Sequence, residues 1–155
     1  MNKKSKLKIY LCDITYDTII HVSDTIPINI GYVGSYIKKI FGDKVEVELF
    51  KYPEDILDKL KESPPDMIGL SNYSWNSNLS EYIASAAKTV NPNVITVQGG
   101  TNFPYDEFSQ KEFLINRPST DVYTILEGEK SCVGVVQRIF DVDKDLNLFF
   151  DTAID

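Results

Sequence analysis

A chain of 155 residues with 43% hydrophobic residues fits one globular domain with its own core, and no compositional break calls for a second. A formal net charge of -7 opposes a nucleic-acid or anionic-membrane surface, because both need a basic footprint to offset phosphate charge. Two cysteines, Cys12 and Cys132, are too few for a disulfide framework; with no signal-peptide pattern and no run near the roughly 20 apolar residues of a membrane span, the expectation is a cytoplasmic chain with reduced thiols.

Lys3, Lys4, Lys6 and Lys8 form the one basic cluster and read as a solvated terminus. Leu7 to Cys12 (LKIYLC) is a short apolar run and the expected first strand. Asp13 to Asn29 follows as a connection far longer than the usual about 2 to 6 residues, and its Tyr16, Ile19, Ile20, Val22 and Ile26 suggest that it folds against something. Helical spacing runs from Ile30 through Val33, Tyr36, Ile37, Ile40 and Phe41 to a stop at Gly42, with Gly31 and Gly34 in its first turns. Glycine is unfavourable inside a helix, so close approach of a neighbour or ligand is the natural reason for it there.

Val45 to Phe50 alternates Val45, Val47 and Leu49 against Glu46 and Glu48, as an edge strand with one wet face does. Pro53, Glu54 and Asp55 open the second helix, and Ser63, Pro64 and Pro65 close it. Asp66 to Ser71 (DMIGLS) is the third strand and runs into a polar-aromatic loop. Asn78 and Glu81 have capping-box spacing for a third helix that stops at Asn91 and Pro92. Val94 to Gln98 is the fourth strand, followed by Gly99 and Gly100. Pro104 to Leu114 is weakly helical, Asp121 to Leu126 is the fifth strand, and Gly128 to Phe140 is the last helix. Strands alternating with helices predict an α/β fold: a flavodoxin-like (Rossmann-like) three-layer sandwich around a five-stranded parallel sheet, in the order 2-1-3-4-5. The third strand is then central, and ligands of such sheets bind beyond the strands' carboxyl ends.

Several uses of this architecture lack their residues. A phosphoacceptor receiver needs an aspartate where Ser71 ends the third strand and a lysine near Glu127. A flavodoxin needs a phosphate loop where CDITYDTIIHVSD places acidic groups. A dinucleotide turn needs GxGxxG, and Gly31 and Gly34 are spaced only as GxxG. One histidine and two distant cysteines do not assemble the usual metal clusters or triads.

Four segments in this order, PINIGYVGSYIKK from Pro27, DMIGLSNYSWN from Asp66, NPNVITVQGG from Asn91 and DVYTILEGE from Asp121, resemble the cobalamin-binding domain found at the N-terminus of many radical S-adenosylmethionine enzymes. The resemblance covers roughly Leu7 to Phe140, making 1–140 the domain and 141–155 a tail or the start of a further domain. It implies a nucleotide tail inserted beside the central strands and a corrin ring over their carboxyl ends. Carried onto this sequence, it assigns cofactor contacts to Gly31, Ser71, Tyr73, Trp75, Gly99, Gly100, Thr101, Phe103, Glu127 and Gly128. Ser71 would meet the benzimidazole end, Gly99 and Gly100 the tail, and Tyr73, Trp75 and Phe103 the rings. Leu126 departs from the glycine usual before the family's Glu-Gly-Glu.

The DxHxxG motif of classical cobalamin domains, whose histidine is the lower axial ligand of cobalt, is missing here, as it is from many of the radical-enzyme relatives. His21 lies in the right loop but ten residues before Gly31, and Ile19, Ile20 and Val22 offer instead an apolar cover for the lower face. The chain also lacks CxxxCxxC, so an iron–sulfur cluster and S-adenosylmethionine would belong to another domain or a partner. The expectation is a cobalamin carrier for a radical enzyme of methyl transfer or related chemistry, not catalytic alone. The alternative is a flavodoxin-like interaction or regulatory domain without a cofactor.

Overall fold

A computed structural model of the protein describes residues 6–16 and 26–151. His21, Ile19, Ile20 and Val22 lie outside the described residues. Five parallel strands pair in the order β2-β1-β3-β4-β5, as the alternation of elements predicts. They are β1 (Leu7–Cys12), β2 (Val45–Phe50), β3 (Met67–Ser71), β4 (Ile95–Gly99) and β5 (Val122–Thr124). Helices α1 (Ile28–Phe41), α2 (Pro53–Glu62), α3 (Ser77–Val90), α4 (Glu107–Ile115), α5 (Gly128–Asp141) and α6 (Leu146–Phe150) complete the order.

Because successive strand residues point to opposite faces, the sheet builds two cores. Leu7, Ile9, Leu11, Met67, Ile95 and Val97 pack under α1 and α5. Tyr10, Cys12, Ile68 and Leu70 pack under α2 and α3 with Ile56, Leu60, Ile83 and Ala84. Val142 and Phe149, from the segment after α5, join the first of these cores, and Phe149 is buried. The start of the connection after β1 follows the edge strand: Asp13 and Thr15 donate backbone N–H to Phe50 and Lys51 carbonyls at 3.0 and 3.1 Å, and Ile14 is buried in the second core.

Three local expectations shift. Helix α3 starts after Asn76, not Asn78, because the side-chain carbonyl of Asn76 accepts the Tyr73 N–H at 2.8 Å and folds the preceding loop into a turn. Glu81 consequently makes no capping box; it accepts from the Ser119 N–H at 2.9 Å and the Thr120 hydroxyl at 3.0 Å, tying α3 to the chain entering β5. Strand β5 ends at Thr124, short of Leu126, because Leu126 turns into the left-handed region at φ 65. Among the edge-strand residues, Leu49 is exposed where alternation predicts burial, and on α1 it lies opposite Gly34, 3.4 Å from that residue's Cβ position.

Candidate functional site

Between the carboxyl half of the sheet and the first turns of α1 and α5 lies a cavity of about 250 Å³. Its floor is the strand face that carries Leu11, Gly69, Ser71, Val97 and Gly99, with Thr124 at one side. The register sets these small residues side by side: Gly69 pairs with Val97, Ser71 with Gly99, and Gly99 with Thr124. The walls come from Asn29, Ile30 and Val33 of α1 and from Gly128, Glu129 and Cys132 of α5. Two of the glycines in this floor are packed tightly against their neighbours. A Cβ on Gly69 would stand 2.8 Å from the Leu11 side chain, and one on Gly99 would stand 2.3 Å from the Thr124 hydroxyl.

The rim is held by polar contacts. Asn72, fully buried, donates its side-chain amide to Gln98, accepts from the Asn102 amide at 2.9 Å, and donates its backbone N–H to the Gly99 carbonyl at 2.7 Å. Gly100 sits at φ 139 with its Cα facing the Asn72 carbonyl, where an added Cβ would approach to 2.4 Å. Only glycine adopts that backbone without strain. Across the mouth, the Asn29 side-chain amide donates to the Tyr73 hydroxyl at 3.0 Å, which ties α1 to the loop after β3.

Ser71, at the end of β3, donates its hydroxyl proton to Asp13, while the Asn76 amide reaches Ile14's carbonyl at 3.2 Å. The Ser71 oxygen also accepts from the Asn76 amide at 3.4 Å, so the hydroxyl is tied on both sides, its one proton committed to a carboxylate. Burial, and then the nearby Glu129 charge, push the Cys132 thiol up to about 12, so it lines the cavity as a neutral, weakly polar group. Neutral thiols are poor metal ligands and poor nucleophiles.

Of the residues singled out in the sequence, Ser71, Tyr73, Gly99, Gly100 and Gly128 line the cavity. Trp75 lies outside it, stacked on Tyr73 at 4.5 Å and 6°, and is largely exposed. Phe103 stacks on Tyr123 at 4.0 Å, edge-on to Phe113, in a separate aromatic cluster. In that cluster desolvation pushes the Tyr123 hydroxyl up to about 12, and it donates to the Gly100 carbonyl at 3.2 Å. Thr101 is exposed beyond the rim. Gly31 stands on the open side of α1 with nothing within 4 Å of its Cβ position. Glu127, the residue before α5, pairs with Lys130 at 2.7 Å on the surface. Among the described residues no group of histidine, cysteine and carboxylate side chains is arranged to hold a metal ion. The chain's one histidine, His21, is outside them.

Sequence reasoning missed Asn29, Ile30, Val33 and Cys132, which reach the cavity only through helix packing, and Gly69, which carries a readable signal. A glycine inside a strand often marks close backbone approach.

The class is set by the match of residues 21–136 to the B12 binding domain model, which covers most of the chain. The chain belongs to the B12-binding domain family, whose ligand is cobalamin. No curated protein matches it. Among solved structures it is similar to a cobalamin-binding protein from Desulfitobacterium hafniense, with a TM-score of 0.53 and 20% identity over 86% of this chain and 58% of that one. A CheY-like response regulator receiver domain from Methanospirillum hungatei shares the fold at a TM-score of 0.56, with 12% identity over 90% of this chain and 98% of that one. A pilus assembly protein from Caulobacter crescentus does so at 0.55, with 12% identity over 86% and 99%. At these identities the three structures define the fold alone. No described helix is long and apolar enough to cross a membrane.

Proposed function

We propose that this chain holds cobalamin with its nucleotide tail in the slot between the sheet and α1/α5, and serves a radical S-adenosylmethionine enzyme of methyl transfer or related chemistry. The observation that carries the first half is the size and lining of the cavity. At about 250 Å³ it is smaller than the roughly 300–1,000 Å³ of pockets that enclose a whole drug-sized ligand, so it suits a flat bicyclic end group and not a macrocycle. A floor of Gly69, Ser71 and Gly99 lets such a group approach the backbone closely. Ser71 and the Asn29 amide supply a few polar contacts among apolar walls, and Tyr73 with its stacked Trp75 offers flat surface beside the mouth.

When bound, cobalamin supplies a cobalt that carries an alkyl group. The chain's own residues bind it, orient it and keep water from its buried end. Its lower cobalt face would be met by His21 or by the apolar residues of the same loop. The radical half rests on the sequence resemblance: the iron–sulfur cluster and S-adenosylmethionine would sit in another domain or partner, in the cytoplasm. The family match favours this reading over a ligand-free regulatory domain.

Incubation with hydroxocobalamin, desalting and a visible spectrum tests the first half: folded protein should retain corrin absorbance, and folded protein without it sinks the reading. Cobinamide, which lacks the nucleotide tail, should be retained far less; equal retention would remove the tail from the slot. The enzyme half is tested by mixing the loaded chain with a radical S-adenosylmethionine protein that lacks its own cobalamin domain, where co-elution supports it and separate elution counts against it.

A further inference from the structure

Leu126 is the one described non-glycine residue at the cavity whose backbone is left-handed, at φ 65, and its side chain is 96% exposed. It occupies the junction between β5 and α5, two residues past Thr124, which pairs with Gly99, and two before Gly128, the first residue of α5. The turn leads directly into Gly128, whose Cβ position is 3.5 Å from Val33, and into Glu129 and Cys132, which line the cavity. Glycine makes this turn at no steric cost and asparagine at little, whereas leucine brings its Cβ against the backbone. In the free protein the leucine side chain gains nothing in return, because it lies in water at the cavity rim. Backbone sterics and apolar hydration both disfavour this residue unless something outside the chain covers it. Such outliers gather at ligand clamps.

We propose that Leu126 is an affinity-determining contact for the part of cobalamin that protrudes from the slot, held in a strained conformation so that its side chain stands at the mouth. This inference rests on the cobalamin reading above. Contact with an apolar part of the ligand removes the leucine side chain from water, which offsets the backbone strain only in the bound state. The strain is therefore carried by the free protein and compensated on binding.

The consequence is a pair of opposite effects from one position. Leu126→Ala, Leu126→Asn and Leu126→Met are compared with the wild type by thermal melting of the free protein and by titration with hydroxocobalamin followed in the visible. Leu126→Ala should bind about tenfold more weakly, about 1.4 kcal/mol at 25 °C, with its melting midpoint unmoved. Leu126→Asn should bind as weakly and melt higher, since asparagine accepts the left-handed region. Leu126→Met should keep the wild-type affinity. Alanine and asparagine variants that bind as tightly as the wild type would overturn the proposal and leave the side chain to a protein contact. A wild type that binds no hydroxocobalamin shows itself before any variant is made, and takes the cofactor reading and this inference down together.

Discussion

Toward α2 and α3 the sheet presents Tyr10, Cys12, Ile68 and Leu70, each at most 3% exposed, and the space between the layers is filled. Toward α1 and α5 the same sheet presents Leu11, Gly69, Ser71 and Gly99 and leaves a cavity of about 250 Å³. Neighbouring residues such as Ile68 and Gly69 share one strand and one backbone path, yet one seals a core and the next opens a site. The hollow is a matter of side-chain choice at alternate positions. A sheet of this kind can thus gain a binding slot on one face while the other keeps the protein folded.

That contrast can be broken by exchanging the two kinds of residue. Ile68→Ala removes a fully buried side chain from the filled face and should cost about 2–5 kcal/mol in urea denaturation. The protein that stays folded should retain cobalamin as the wild type does, and a loss of ligand from the folded fraction would show that the two faces are not independent. Gly69→Val does the reverse. Its Cβ would stand 2.8 Å from the Leu11 side chain, which must shift, so folding should suffer by about 1–3 kcal/mol. Retention of hydroxocobalamin after desalting should be abolished; a retained corrin spectrum in this variant would place the ligand elsewhere.

The smallest effect sharpens the comparison through pH. The Cys132 thiol is held near 12 in the folded protein and ionises near 9 when exposed, so the unfolded state loses its proton first as pH rises. Stability from this group is complete below about pH 9 and is lost between there and about pH 12. Melting midpoints taken at pH 8 and pH 10.5 should therefore fall further in the wild type than in Cys132→Ala, and equal falls would remove the slot thiol from the account.

Strand order and most element bounds were legible because hydrophobic alternation and Pro/Gly punctuation are local: β1 and β2 begin and end where their residues predict. The site was legible only along the strands and their loops. Ser71, Gly99 and Gly100 stand at strand ends, where this sheet type binds ligands, and they line the cavity. Asn29, Val33 and Cys132 come from helices about 100 residues apart in sequence whose packing brings them together, and no local pattern announces that. Phe103 shows the converse difficulty. An aromatic in a ligand-side loop reads as a ring platform, but Tyr123 and Phe113, distant in sequence, claim its faces. The Asn76 turn was hidden by a second asparagine two residues later with better spacing to Glu81.

Trp75 is the chain's single tryptophan, and it lies flat on Tyr73, whose hydroxyl is tied to Asn29 across the mouth of the slot. Ultraviolet excitation of this protein at the red edge of its absorption consequently reports on one loop alone. The emission of an unlabelled sample is a built-in gauge of that loop, able to follow the mouth in real time without a dye, a tag or a coloured ligand.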